Sequence, residues 1–188
     1  MVSLPSSLFV ILCCCLPFLV SSARFRFGAS NGDLVSRTCD RTLYPELCVS
    51  SLRSEPRSAT SDLRGLAEIA LNQTRARGVE TLSHVGELQK QLGGNKYVSS
   101  CLKDCWEEYS DAVERLESSA GALSGEDYGS VNSWVTAAMS DSETCEEGFK
   151  EGPDNAGAGD NYWSPLKERN QDFSKMCSNF LAITNLLV

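Results

Sequence analysis

Histidine occurs once in the 188 residues, and Lys+Arg number only 17 against 25 Asp+Glu, leaving a formal net charge of −8. The scarcity of imidazole excludes any multi-histidine metal site and leaves His84 as the only imidazole base. The lack of a basic cluster excludes nucleic acid and polyanions in general, because backbone phosphates must be neutralised by Lys or Arg. No GxSxG elbow occurs. The glycines between positions 152 and 159 follow no strand and precede no P-loop lysine, so phosphate binding has no support. No segment alternates in the manner of a strand. Hydrophobic residues at 41% are those of an ordinary globular chain, which excludes disorder throughout.

What the chain does have is cysteine: nine in all. Three of them, Cys13, Cys14 and Cys15, lie in an uncharged apolar run over 4–20, followed by Ser21-Ser22-Ala23 and then Arg24. That order predicts a secretory signal peptide over 1–23 rather than a membrane anchor, since Pro5 and Pro17 interrupt the run and no stop-transfer charges follow. Residues 24–33 read as a loose leader. Six cysteines then remain in an exported chain: Cys39, Cys48, Cys101, Cys105, Cys145 and Cys177. In an oxidising compartment they can pair. The sequon Asn72-Gln73-Thr74 marks Asn72 as an exposed acceptor for an N-linked glycan.

The mature chain reads as all-α. Tyr44-Pro45 between Cys39 and Cys48 predicts a stapled helical hairpin over 34–58. Over 59–188 four helical patterns follow. The first places Leu63, Leu66, Ile69, Ala70, Leu82, Val85, Leu88 and Leu92 on one face, with Gly78 and Gly86 weakening it locally. The second steps by three or four through Val98, Leu102, Cys105, Tyr109, Ala112, Leu116, Ala120 and Leu123. Its opposite face is acidic: Glu107, Glu108, Asp111, Glu114 and Glu117. Tyr128 to Phe149 and Leu166 to Leu187 supply the third and fourth. Gly93-Gly94, Ser124-Gly125 and 151–161 break the pattern. Short connections between them predict an up-down-up-down four-helix bundle.

In such a bundle the start of the second helix and the end of the third share one end, so Cys105 and Cys145 can meet. Cys177 lies about 22 Å along the fourth helix at 1.5 Å per residue, too far from Cys101 for a Cα separation under about 7 Å. The expected disulfides are Cys39–Cys48 and Cys105–Cys145, with Cys101 and Cys177 as thiols. No catalytic constellation accompanies them. Cys101 has no nearby histidine, burial would make Cys177 inert, and carboxylate pairs on helices are solvated faces. A lipid carrier would need a denser cysteine framework. A protein-binding module, needing neither metal nor cofactor, fits best.

Thr38-Cys39…Tyr44-Pro45-Glu46-Leu47-Cys48, Asp104-Cys105…Tyr109…Ala112-Val113…Leu116, Ala137-Ala138…Thr144-Cys145-Glu146…Phe149 and the ending Ser178–Val188 resemble the plant invertase/pectin methylesterase inhibitors over about residues 34–188. The resemblance implies the same hairpin, bundle and disulfides, with an unpaired cysteine in the last helix at Cys177. Cys101 is a departure, an extra thiol that packs or links two copies of an otherwise monomeric protein. One branch of that family blocks pectin methylesterase, the other acid invertase. Invertase inhibitors carry Pro-Lys-Phe in the loop between the second and third bundle helices. Here that loop reads Ser124-Gly125-Glu126-Asp127-Tyr128-Gly129, which favours the methylesterase as partner. Carried over by position, Glu107, Asp111, Glu114, Asn132 and Thr144 would contact the enzyme, and the expected setting is the plant cell wall.

Overall fold

The computed structural model describes residues 33–152 and 162–188. The expected signal peptide, the leader up to residue 32 and most of the break at 151–161 lie outside the described residues. Six α-helices follow in order: α1 (Leu34–Cys39), α2 (Pro45–Ser54), α3 (Leu63–Leu92), α4 (Lys96–Ser124), α5 (Tyr128–Lys150) and α6 (Lys167–Thr184), with a 3-10 turn at Pro56–Ala59. No strand occurs among the described residues.

Side chains at the helix starts explain where the elements begin. The Asp33, Asp62, Asn95 and Asp127 side chains each accept a backbone N–H from the first turn of α1, α3, α4 and α5. Pro45 starts α2, its fixed φ suiting the first helical position. The four long helices then form a closed ring: α4 packs between α3 and α5, and α6 between α5 and α3. The α1–α2 hairpin lies against α3 and α6, stapled by Cys39–Cys48 with a Cα separation of 5.5 Å. Asn179 of α6 pins it further, donating to the Tyr44 carbonyl at 2.9 Å while accepting the Tyr44 N–H at 3.1 Å. The architecture is thus the four-helix bundle with a disulfide-stapled N-terminal hairpin.

The core is the seam the periodicity predicts, with three instructive differences. On α4 the buried residue near the C-terminus is Ser119, not Ala120. The serine enters apolar surroundings because its hydroxyl donates to the Arg115 carbonyl at 2.8 Å. Second, Gly78 and Gly86 do not interrupt α3, which is continuous over 30 residues. They are sites of close approach: a Cβ on Gly78 would stand 3.1 Å from the Phe173 ring and 3.3 Å from Val113, and one on Gly86 would stand 2.9 Å from Trp106. Third, α5 and α6 also bury polar side chains: Glu146 and Asn170 bond each other across their seam, while Asp141 faces Arg115 of α4 and Asn179 faces Tyr44 of the hairpin. Tyr109, fully buried, meets Phe173 edge-on at 5.3 Å and donates its hydroxyl to Asn170 at 2.9 Å.

Candidate partner-binding surface

The Cys105–Cys145 disulfide, Cα separation 4.7 Å, joins α4 to α5 and sets which flank of each helix faces the other. From that reference the acidic face of α4 divides. Glu117 turns toward α3 and meets Arg75 at 3.2 Å. Glu108 is half-buried toward α5. Glu107, Asp111 and Glu114, spaced by one and two helical turns, stand exposed on the outer surface. Thr144 is exposed on α5. Asn132 is not with it: twelve positions apart, the two point about 120° away from each other around the helix. Asn132 instead donates to the Asn185 side chain at 3.1 Å, at the C-terminal end of α6. The outer α4–α5 face thus brings together Glu107, Asp111, Glu114 and Thr144, while Asn132 lies on the α6 side.

At the centre of that face is a pairing no periodicity argument supplies. Arg115 donates to Asp141 of α5 and also meets Asp111 at 3.4 Å on its own helix. Burial pushes the Asp141 carboxyl up to about 6; the Arg115 guanidinium opposes this and the Glu108 charge adds to it. Glu108 is raised for the same reason, burial first and the neighbouring Asp111 second. The face therefore carries exposed carboxylates around two whose burial holds the proton more tightly.

The α4–α5 loop is held down rather than projecting. Arg64 of α3 donates to the Leu123 and Ser124 carbonyls at 3.1 and 2.8 Å and to the Glu126 carboxylate at 2.6 Å. It thereby satisfies the Ser124 carbonyl at the end of α4 and adds a second donor to the Leu123 carbonyl, which also accepts the Glu126 N–H. Glu126 adopts a left-handed backbone, φ 61°, to make the turn. Asp127 then accepts the N–H and hydroxyl of Ser130, which starts α5 and holds its own carboxyl below the usual range.

Elsewhere the expected residues fall as follows. Cys101 and Cys177 are buried thiols. Cys101 contacts the Gly148 carbonyl at 3.5 Å, beside Tyr97, whose hydroxyl donates to the same carbonyl. Burial raises both thiols, so neither is a poised nucleophile. Asn72 is exposed on α3, while Thr74 of the same sequon is buried and donates to the Ala70 carbonyl at 2.8 Å. His84 is a partly exposed helix residue 3.7 Å from Glu87. Sequence reasoning missed the buried Glu146, which accepts from Tyr162, from Ser164 at 3.0 Å and from Asn170 at 2.6 Å. Among the described residues no group of three or more His, Cys, Asp or Glu side chains is arranged to hold a metal ion. No helix among them is long and apolar enough to cross a membrane.

Fold and surface together define a disulfide-stapled helical bundle presenting one charged, open flank. The chain belongs to the plant invertase/pectin methylesterase inhibitor family, whose sequence model matches residues 33–183. It is 31% identical to a pectinesterase inhibitor of Actinidia deliciosa, over 97% of this chain and 94% of that one. It is likewise 31% identical to a putative invertase inhibitor of Platanus orientalis, over 92% and 95%. Among solved structures, a mutant form of a pectin methylesterase inhibitor from Arabidopsis superposes with a TM-score of 0.67 at 26% identity, over 81% of this chain and 95% of that one.

Proposed function

We propose that this protein inhibits pectin methylesterase, binding it reversibly, one to one, and covering its substrate cleft with the outer α4–α5 face. The observation that carries the reading is the α4–α5 loop. In the family it resembles, invertase inhibitors use a Pro-Lys-Phe plug at this place. Here Ser124 to Asp127 is pinned to α3 by Arg64, and the Glu126 carboxylate is committed to that clamp. Relatives carry names of both targets, so the loop and the face, rather than identity, argue for the esterase.

The mechanism needs no chemistry from the inhibitor. Its carboxylates at Glu107, Asp111 and Glu114 speed the encounter with a cationic rim and discriminate against acidic surfaces. The Cys105–Cys145 bond and the Arg115–Asp141 pair keep the two helices in register, so little ordering cost is incurred on docking. Thr144 adds a neutral hydrogen-bonding group at the edge of the face. Asn132 would act only through the separate α6-side surface. Residues 1–23 would serve for export to the cell wall and residues 34–188 would form the inhibitory domain. Buried Cys101 and Cys177 support a monomer.

Occlusion makes a kinetic demand. Titrating the mature protein into pectin methylesterase should raise KM for pectin and leave kcat unchanged, with inhibition weakening as salt rises. A fall in kcat at constant KM would exclude cleft occlusion.

A further inference from the structure

All three tryptophans are partly exposed: Trp106 by 41%, Trp134 by 37% and Trp163 by 54%. Two have a packing role. The Trp106 ring lies on Gly86 of α3, and Trp163 stands edge-on to Phe149 at 6.5 Å. Trp134, though the least exposed of the three, has no ring partner and no hydrogen bond for its indole N–H among the described residues.

Its position on α5 follows from spacing. Residues 134, 138, 141 and 145 recur at four, three and four, so they share one flank. Cys145 fixes the direction of that flank, because it is bonded to Cys105 of α4. Asp141, on the same flank, reaches Arg115 of α4. Trp134 therefore emerges at the α4–α5 seam about 10 Å along the helix from Asp141, at 1.5 Å per residue. On α4 the exposed Asp111 stands on the side of that seam, beside Arg115.

The residues carried over from the family are all polar, and exposed charges alone hold proteins together weakly. An indole supplies what they lack: a rigid apolar surface with a hydrogen-bond donor at its edge. Tryptophan is enriched among the few side chains that dominate binding energy, surrounded by polar groups that exclude water. At this seam the Arg115–Asp141 pair and Asp111 supply such polar groups.

We propose that Trp134 is the apolar anchor of the docking face, entering an apolar recess of pectin methylesterase bordered by cationic side chains. The charge of the rim selects that partner: carboxylates around the indole match lysine and arginine around the recess. The proposal rests on the reading of this protein as an esterase inhibitor, and goes beyond it by naming one residue that family position does not supply.

The test uses the full mature chain and purified pectin methylesterase. Trp134→Ala should raise Kd at least about 30-fold, and Trp134→Phe should cost less than about tenfold, with thermal melts like that of the parent. A second readout covers a variant that fails to fold. In a Trp106→Phe, Trp163→Phe background the single remaining indole, Trp134, should shift its emission to the blue when the esterase is added. If the parent protein inhibits the esterase but Trp134→Ala binds within about threefold of it, or the Trp134 emission does not move, the anchor is overturned and the inhibitor reading stands. If the parent protein does not bind the esterase at all, both fall.

Discussion

Arg115 of α4 crosses the bundle edge to donate to Asp141 of α5, while Asp111, one turn before it on α4, stays 3.4 Å away. One guanidinium thus serves both a structural pair and the exposed face. Asp141 is the better buried of its two carboxylate partners, with a side chain only 11% exposed against 62% for Asp111.

This arrangement gives stability a definite pH trend. The Asp141 carboxyl titrates near 6 in the fold, against about 4 in an unfolded chain. Between those values the folded protein holds the proton more tightly, so this residue's contribution falls as pH rises through that window. Above about 6 it is ionised in both states and the contribution is constant. Asp141→Asn removes the titration. The melting temperature of the parent, minus that of the variant, should decline from pH 4 to 6.5 by about 2–4 °C for each kcal/mol lost. A difference that rises with pH would show that Arg115, not burial, dominates.

The polar seam makes a second prediction. Asn170 joins Tyr109 of α4 to Glu146 of α5, accepting from one and donating to the other. Asn170→Ala leaves a buried hydroxyl and a buried carboxylate each short of a partner, at about 1–3 kcal/mol apiece. Chemical denaturation should show a loss of about 2–4 kcal/mol; a loss under about 1 kcal/mol would mean that water replaces the amide.

Gly78 tests the close approach of α3 to its neighbours. Since a Cβ there already crowds Phe173 and Val113, Gly78→Val should cost about 1–3 kcal/mol by overpacking. The exposed Gly121, whose Cβ would meet nothing within 4 Å, should gain stability on Gly121→Ala. Equal responses at the two sites would refute the packing assignment.

These features also mark how far a sequence can be read. Helix positions, the bundle and the hairpin follow from apolar spacing, because α3 to α6 each commit one face to the core. Spacing fails where a polar group is buried together with its hydrogen-bond partner. Ser119 looks like surface until its bond to the Arg115 carbonyl is seen, and Glu146 and Asp141 look like two more solvated acids. Nothing in the one-dimensional pattern marks these two acids, since their partners are 16 to 26 residues away. The same limit applies to the surface. Position alone groups Asn132 with Thr144, but the turn of α5 separates them. Trp134 enters the outer face by the same geometry.

The Asn72 acceptor makes a prediction about order of events. The Thr74 hydroxyl that the sequon requires is buried and bonded within α3. Glycan should therefore be added only before α3 forms. Protein expressed through a plant or insect secretory pathway should lose mass on treatment with an N-glycosidase. Refolded, unglycosylated protein should remain unmodified when offered to the transferring enzyme, and modification of that folded form would contradict the burial.

The target assignment is settled most directly by one paired assay. Purified mature protein is titrated against pectin methylesterase, followed by methanol release from pectin, and against acid invertase, followed by sucrose hydrolysis. A clamped loop and an acidic, tryptophan-bearing α4–α5 face predict that methanol release falls to a one-to-one endpoint while sucrose hydrolysis is unchanged. Inhibition of invertase with the esterase untouched would contradict the account.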